Sequence, residues 1–469
     1  MPARYQSRDP LATPAFTALR EFLASSTKGS GEDDFEDFER ELHGHMMAFE
    51  TEAVGARLES YDVHDDEIEV EGQLFRRKMK SKQQYSGLAG TFEIERNLYV
   101  PRGGGKAIVP LDLRAGMIEG AWTPLAARIM ARAVANSTPK ESAELFEEIG
   151  GMTPSTSSFD RLPKRLSERW EEKREGFEEE LRSMEPVPRE AVAVGISLDG
   201  VQVPMKDGDR VEKRSQNDKK PQGPAGFREV GCGTVTLYDE EGERLETVRY
   251  ARMPEQKKVE LKDQLEAELG SILAARPDLT VVGLSDGAID HWEFLEGLPE
   301  RLGLDSLVVE KCLDLFHVLE HVKKALDAYH GEGTPESKAS FQECRIWLRE
   351  KNDGPQRVLR ALRYRRDKSR GAKRTTINRQ IKYVQKRTHL MKYKHLLDHN
   401  LPVGSGVVEA ACKTLATERM KRSGMSWGDE GGQAILTLRS LVQSRRWQAG
   451  WQFIANEYRV RVTPMKSAA

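Results

Sequence analysis

Two apolar runs constrain this chain more than any other feature. Ala191-Val192-Ala193-Val194-Gly195-Ile196-Ser197-Leu198-Asp199 and Leu279–Ser285 are hydrophobic on both faces and run into near-identical steps, Asp199-Gly200 and Asp286-Gly287. Strands of that kind belong in the middle of a sheet with both faces covered. Val230–Tyr238 and Leu245–Tyr250 read as two more strands, with Asp239–Glu243 and its Gly242 as the hairpin turn. A helix from Pro254 to Leu273 crosses over to the 279–285 strand. Ile289–Leu302 then reads as a helix, Leu307-Val308-Val309 as a short strand and Leu315–Tyr329 as a helix. A three-strand meander followed by alternating helix and strand gives a mixed α/β sheet.

The remainder divides around that sheet. With 469 residues there is room for about three domains at roughly 150 residues each. Residues 1–60 read as a flexible start followed by an acidic helix, the flexible part being 1–30. Residues 61–120 read as a small mixed module, extended at Glu67–Phe75 and Thr91–Val100 and broken by Gly103-Gly104-Gly105. Residues 121–185 read as helical, 186–330 as the first part of the α/β core, 331–400 as a basic helical block, and 401–469 as the rest of the core with a C-terminal helix and tail. No apolar run reaches the roughly 18–20 residues of a membrane span, and Met1–Ser7 lacks an apolar h-region. Cys232, Cys312, Cys344 and Cys412 are too scattered for a disulfide framework and read as reduced thiols of a cytosolic protein.

Charge is segregated although the net value is only −2. From Glu32 to Glu71 there are 16 acidic residues against two basic; from Arg345 to Lys394 there are 18 Lys/Arg against three acidic. A short charge run is ordinarily a solvated helix face, but a block this long needs an anion to relieve its repulsion, and a phosphate backbone is the usual one. The basic block has helical spacing, and Arg357, Arg360, Arg363, Arg365, Arg366, Lys368, Arg370, Lys373 and Arg374 are its expected phosphate contacts. Ahead of the sheet, a helix capped by Ser137 runs to Ile149, stops at Gly150-Gly151, and is followed by a second start at Thr153-Pro154-Ser155-Thr156. The pair has the outline of a helix-turn-helix, with Arg161, Lys164 and Arg165 as candidate DNA contacts; two short helices packing on each other fit the same pattern. Residues 165–181 read as a charged, exposed connecting helix.

The candidate chemistry lies in carboxylates. Ligands of open α/β sheets bind beyond the carboxyl ends of the strands, where Asp199 and Asp286 are expected. Singly, each Asp-Gly also fits a turn; two in one sheet point to a pair. Glu409 is the third candidate, one turn into a helix of small residues that starts at Ser405 and continues to about Arg422. An i,i+4 pair with Lys413 is its alternative role. Three carboxylates form an oxygen site suited to Mg²⁺, with Mn²⁺ as substitute, and two such ions can clamp an in-line phosphoryl displacement.

Asp199 in Ser-Leu-Asp-Gly, Asp286 in Ser-Asp-Gly, the Asp314-Leu315-Phe316-His317 element and Glu409 in Gly-Ser-Gly-Val-Val-Glu-Ala-Ala-Cys-Lys-Thr resemble the DDE transposases of bacterial insertion sequences, in particular the ISKra-type group with its Mutator-like pattern. The stretch Glu418-Arg419-Met420-Lys421-Arg422-Ser423-Gly424-Met425-Ser426-Trp427 resembles that group's segment after the catalytic helix, which adds Arg419, Lys421 and Arg422 as DNA contacts. The resemblance covers roughly 85–430. It implies an α/β, RNase H-like catalytic domain with an all-helical insertion, preceded by a mainly helical DNA-binding region. Asp199 would stand on the first strand, Asp286 on the fourth and Glu409 after the insertion. It further implies Asp314 and His317 supporting the metal ligands, double-stranded DNA as partner, and a homodimer or higher synaptic oligomer in which the acidic 32–71 segment is a protein-contact region. Group members often carry cysteines near the N-terminus, whereas Tyr99–Lys106 has none, so 61–120 would fold without metal.

His317-Val318-Leu319-Glu320-His321 also matches H-x-x-E-H, the inverted pattern of zinc proteases. That reading leaves the basic block unexplained. A DNA-binding protein descended from a transposase but no longer catalytic is the other alternative, and three retained carboxylates weigh against it.

Overall fold

The computed structural model describes residues 13–26, 34–206 and 226–465. The chain divides into two compact units, Met1–Phe177 with Arg446–Ala469, and Glu178–Arg445.

The first unit opens with a helical hairpin, α1 (Pro14–Ser26) and α2 (Phe35–Glu59). Its helices meet through aromatic pairs, Phe16 with Phe49 and Phe22 with Phe38, at centroid separations of 5.5 and 5.6 Å. The expectation of a flexible start is therefore corrected over Pro14–Ser26; residues 1–12 and 27–30 lie outside the described residues. An antiparallel sheet comes next, β1 (Glu67–Val70), β2 (Gln73–Ser86) and β3 (Thr91–Pro101). Most of β2 gave no strand signal because Arg76 to Lys82 is polar on both faces. Cross-strand ion pairs support it instead, Lys82 with Glu93 at 2.8 Å and Lys80 with Glu95 at 3.4 Å.

The helices α3 (Pro110–Ala115), α4 (Pro124–Asn136), α5 (Pro139–Ile149), α6 (Thr156–Glu172) and α7 (Arg174–Met184) complete this stretch of the chain. Thr138, not Ser137, caps α5: its hydroxyl accepts from Glu141 N (3.1 Å) while the Glu141 carboxylate accepts from Thr138 N (2.8 Å). Gly150 and Gly151, at φ +84° and +86°, make the turn that only glycine adopts at low cost. Phe146 then meets Phe159 edge-on at 5.3 Å, joining α5 to α6. α6 does not end near Arg165 as expected but runs through Pro163 to Glu172, because Phe159, Leu162, Leu166 and Trp170 form one buried stripe on both sides of the proline.

The second unit is the mixed α/β sheet. Its strands are β4 (Ala193–Pro204), β5 (Phe227–Tyr238), β6 (Arg244–Arg252), β7 (Thr280–Ser285) and β8 (Val309–Leu313), in the spatial order β6-β5-β4-β7-β8. β4, β5 and β6 form an antiparallel meander; β7 runs parallel to β4, and β8 parallel to β7. β8 lies a little later than the expected 307–309 strand. The connecting helices are α8 (Val259–Ala275), α9 (Ile289–Arg301) and α10 (Leu315–His330). Gly231 and Gly233 let α8 lie close on β5: a Cβ at Gly233 would stand 2.6 Å from Leu265, and one at Gly231 2.9 Å from Leu261. Between them Cys232 faces the other way, into a second cluster with Val408, Ala411 and Cys412. The two faces of the sheet are thus covered by different helices, as its apolar strands require.

The segment after α10 is helical throughout: α11 (Pro335–Glu350), α12 (Gly354–Asp367), α13 (Gly371–Lys386) and α14 (Tyr393–Asp398). Leu348, Val358, Leu362, Ile377, Ile381 and Val384 share one buried core with the sheet residues Ile196, Val282 and Leu313, so this block is part of the unit's core and not an appended tail. α15 (Gly406–Ala411) continues through a π-helical turn, Cys412–Thr417, to Met420, and α16 (Asp429–Gln443) lies beyond it. The chain then returns to the first unit with α17 (Trp447–Asn456) and β9 (Val462–Met465), which pairs antiparallel with β1. The single 401–469 segment expected from sequence is corrected accordingly: β9 covers the edge of β1, a long-range pairing that a four-residue strand does not announce. Among the described residues no helix is long and apolar enough to cross a membrane.

The close approach of α8 carries a stability prediction. Gly233→Val forces Leu265, which is fully buried, out of its place. Overpacking of this kind costs about 1–3 kcal/mol. The measurement is the urea midpoint, with an unchanged m-value.

Candidate active site

Asp199 is not at a strand end. β4 continues five residues past it, to Pro204, paired all the way with β5. What stops is the neighbour: the β4–β7 ladder closes at Ser197–Leu284, and β7 ends at Ser285. Carried on two residues, that register sets Asp199 level with Asp286. The β7–β8 ladder closes at Ser285–Leu313 and sets Asp286 level with Asp314. Three aspartates therefore stand in line across β4, β7 and β8. The glycines after the first two serve the protein's own side chains. A Cβ at Gly200 would collide with Glu229, and one at Gly287 (φ +101°) would lie 2.7 Å from Arg387 Nε.

Asp199 and Asp286 are half-buried; both oxygens of Asp199 have a donor, while Asp286 has only one oxygen engaged. Oδ1 of Asp199 accepts from Gly200 N at 2.7 Å; the thiol of Cys412 lies 3.8 Å from Oδ2. Oδ1 of Asp286 accepts from Ala288 N (3.1 Å) and Ser285 Oγ (3.3 Å), with His291 Nδ1 3.7 Å away. Among the described residues Oδ2 of Asp286 has no hydrogen-bond partner. The two carboxyls are pushed in opposite directions. Burial raises the Asp199 pKa, and the charge of Asp286 adds to that. Asp286 is held well below the usual carboxylate range, first by the His291 imidazole beside it, against the effect of burial. A neighbouring pair with diverging affinities for protons is a mark of functional carboxylates.

Asp314 is fully buried and differs from the other two. Oδ1 caps α10 by accepting from His317 N at 2.6 Å. Oδ2 accepts from both the backbone N–H and the hydroxyl of Ser405, the latter at 2.5 Å. Ser405 thus does not cap its own helix, as expected from sequence; it pins the start of α15 to the end of β8. The same hydroxyl lies 3.1 Å from Glu409 Oε1. It carries one hydrogen and so serves one carboxylate at a time, and Asp314 is the nearer. Glu409 is exposed, not set on an apolar face, and makes no ion pair with Lys413 among the described residues. With Ser405 on Asp314 and Cys412 beside Asp199, α15 and its π turn span the row of aspartates, and Glu409 falls between the two anchor points. Among the described residues no three His, Cys, Asp or Glu side chains are gathered as a ready-made metal site. The site is an adjacent aspartate pair with Glu409 on the helix that crosses it.

His317 packs edge-on against His321 and Tyr383 (5.0 and 5.8 Å), and its charge contributes to depressing the Asp286 pKa. The zinc-protease pattern is not assembled: Glu320 is exposed beside Lys324, while His321 stacks on Tyr383 at 3.7 Å and bonds Gln380 through Nδ1. Tyr383, in turn, donates to Asp286 O (2.7 Å), and Arg387 donates to Gly287 O (3.0 Å). The end of the basic block therefore holds the Asp286 loop, a link with no signal in the sequence.

The expected DNA contacts differ in burial and pairing. Arg419 is buried, with its guanidinium over the Trp427 ring at 5.2 Å; it is a core residue and no surface contact. Arg365 is half-buried and bonded to His330, Ser340 Oγ and Ala361 O. Arg357 pairs with Asp353 at 2.7 Å, Arg360 approaches the same carboxylate at 3.5 Å, and Arg366 pairs with Asp367 at 2.9 Å. Arg363 bonds Gln385, Lys368 lies over the Tyr364 ring, Arg374 is 3.9 Å from Asp367, and Arg422 bonds Glu418 O. Arg370, Lys373 and Lys421 are exposed. So are Arg379, Lys382 and Lys386, which charge counting did not single out; their i, i+3, i+7 spacing places them on one stripe of α13. In α6, Lys164 pairs with Asp160, Arg165 with Glu168, and Arg161 bonds Ser157 O.

No protein-family model matches the chain, and no curated protein does.

Asp314 supplies the prediction here. Asp314→Ala removes a helix cap and strands the Ser405 donors in a buried place; cap loss costs about 1 kcal/mol and an unsatisfied buried donor about 1–3 kcal/mol. The expected result is a loss of at least about 2 kcal/mol in equilibrium denaturation, with Ser405→Ala losing less because Asp314 keeps its backbone donors.

Proposed function

We propose that this protein is a DNA transposase, a polynucleotidyl transferase that cleaves insertion-sequence ends and transfers the strands with Asp199, Asp286 and Glu409. One observation carries the reading: Asp199 on β4 and Asp286 at the end of the parallel neighbour β7 stand level, with Oδ1 of each held by the protein and Oδ2 of Asp286 free of hydrogen bonds among the described residues. The strand order supports the RNase H-like fold that goes with it, since Asp199 is on the first strand of the sheet and Asp286 directly follows the fourth. The all-helical segment α11–α14 is read as the proposed insertion.

The donor set fits a hard divalent cation. Both aspartates offer carboxylate oxygen, and Glu409 is exposed on the helix above them. Bound there, Mg²⁺ or Mn²⁺ ions would supply Lewis-acid activation of the attacking and leaving oxygens of a phosphodiester. The chain's own part is positioning. Asp314 and Ser405 fix the helix that carries Glu409. Tyr383 and Arg387 fix the loop that carries Asp286. The stripe of Arg379, Lys382 and Lys386 leads along α13 toward that loop and, with Arg370 and Lys373, offers the phosphate backbone a path to it. α6 is the proposed reader of terminal DNA, and the acting species is a dimer or larger synaptic assembly on bacterial nucleoid DNA in the cytoplasm.

The test is strand cleavage of duplex DNA carrying the sequences that flank the protein's own coding region. Nicking should require Mg²⁺ or Mn²⁺, stop in EDTA, and be abolished in Asp199→Ala, Asp286→Ala and Glu409→Ala, while DNA retention persists in all three. DNA retention without cleavage by the wild type would leave a silent binding protein; wild-type rates in Asp286→Ala would remove the assignment.

A second expectation concerns the stripe. Arg379→Gln, Lys382→Gln and Lys386→Gln together should weaken binding to every sequence alike and lower the slope of log affinity against log salt by up to about 0.9 for each phosphate no longer neutralised. A changed sequence preference at constant salt slope would make α13 a reader of bases instead.

A further inference from the structure

Behind the aspartate pair, on the α8 side of the sheet, lies a polar chain that the proposed reaction has not used. Lys258 stands at the start of α8, nine-tenths buried. Its ammonium pairs with Glu229 at 2.8 Å and donates to His291 Nε2, also at 2.8 Å. His291, 3% exposed, faces Ser285 Oγ with Nδ1 at 3.2 Å, and Ser285 donates to Asp286 Oδ1 at 3.3 Å. The direction of the chain is set by chemistry. An ammonium only donates, so Nε2 must accept, and the imidazole hydrogen must sit on Nδ1, directed at Ser285 and Asp286. The backbone gives an independent sign. Lys257 and Lys258 both adopt left-handed φ, +56° and +54°, a conformation costly for two side-chain-bearing residues in succession, and such strain collects where a site demands it.

We propose that Lys258 and His291 are positioning residues for cation capture at Asp286. Lys258 fixes the imidazole tautomer, and the imidazole with Ser285 holds Oδ1, leaving Oδ2 turned to the ion. This rests on the metal-dependent reading above. Groups that orient a ligand in this way typically change metal affinity 10–100-fold when removed.

The experiment is Mn²⁺ binding to the full chain without DNA, read from the electron paramagnetic resonance signal of free Mn²⁺. Thermal melting is followed in parallel. Lys258→Met is expected to bind about 10–100-fold more weakly, and Ser285→Ala to shift in the same direction. His291→Asn, which keeps an N–H near the Nδ1 position, should stay close to the wild type, while His291→Phe should lose affinity. A merely structural role would not separate Asn from Phe in this way. Wild-type affinity in a folded Lys258→Met, or equal losses in the two His291 variants, overturns the relay and leaves the metal site standing. If Lys258→Met does not fold, Ser285→Ala decides the same link by deleting one hydroxyl, and wild-type affinity there overturns it. A wild-type protein that binds no Mn²⁺ overturns both readings.

Discussion

Three carboxylates brought level on neighbouring strands repel one another, and in a half-buried place water does little to screen them. The second unit is arranged around that repulsion. Asp314 is withdrawn from it completely: every lone pair direction in use is taken by an N–H or a hydroxyl from α10 or Ser405. Asp286 is relieved by Ala288 N–H, Ser285 and His291. Asp199 has the least help, a single backbone donor and a thiol, and burial, with the charge of Asp286, raises its affinity for a proton. Of the pair, Asp199 is the less compensated, and Asp286 keeps one oxygen, Oδ2, without a donor among the described residues.

Compensation reaches these groups from both faces of the sheet. On one face α15 crosses the row, anchored at Ser405 and turned into π-helical geometry at Cys412, where it passes Asp199. A π turn inserts an extra residue into the helix and re-aims the side chains beyond it, a device common at functional sites. On the other face Lys258 and His291 reach the strand end from α8 and α9. Gly200 is what lets Glu229 lie beside Lys258.

The basic helices join the two proposed tasks of the protein. Their apolar sides belong to the same core as the sheet, so α13 is held rigidly, and Tyr383 and Arg387 at its end grip the Asp286 loop. Their charge is only partly free. Arg357, Arg365 and Arg366 are consumed by internal pairs, while Arg379, Lys382 and Lys386 are left facing solvent. Which cations pair and which face solvent is not written in their count along the sequence, because pairing depends on which acids and hydroxyls the packing brings near.

Periodicity alone determined much of this molecule. The apolar runs at 191–199 and 279–285 had to become central strands, the 230–250 hairpin had to pair beside them, and the spacing between them had to be helical. The Asp-Gly steps and Glu409 were legible as candidates because carboxylates are conspicuous where apolar patterning is strong. Other features have no local signal. Long-range pairing decided that β4 runs on past Asp199, since its partner β5 is longer than β7. It also decided that β9 closes the edge of β1 and that the charged β2 is a strand at all, through cross-strand ion pairs. Burial decided that Arg419 is a core residue and Asp314 a tether, and close packing decided that Lys258, His291 and Tyr383 meet the site. The physical reason is common to all: hydrophobic spacing is written along the chain, whereas hydrogen-bond partners and burial are set by residues far apart in sequence that meet only when the sheet has formed.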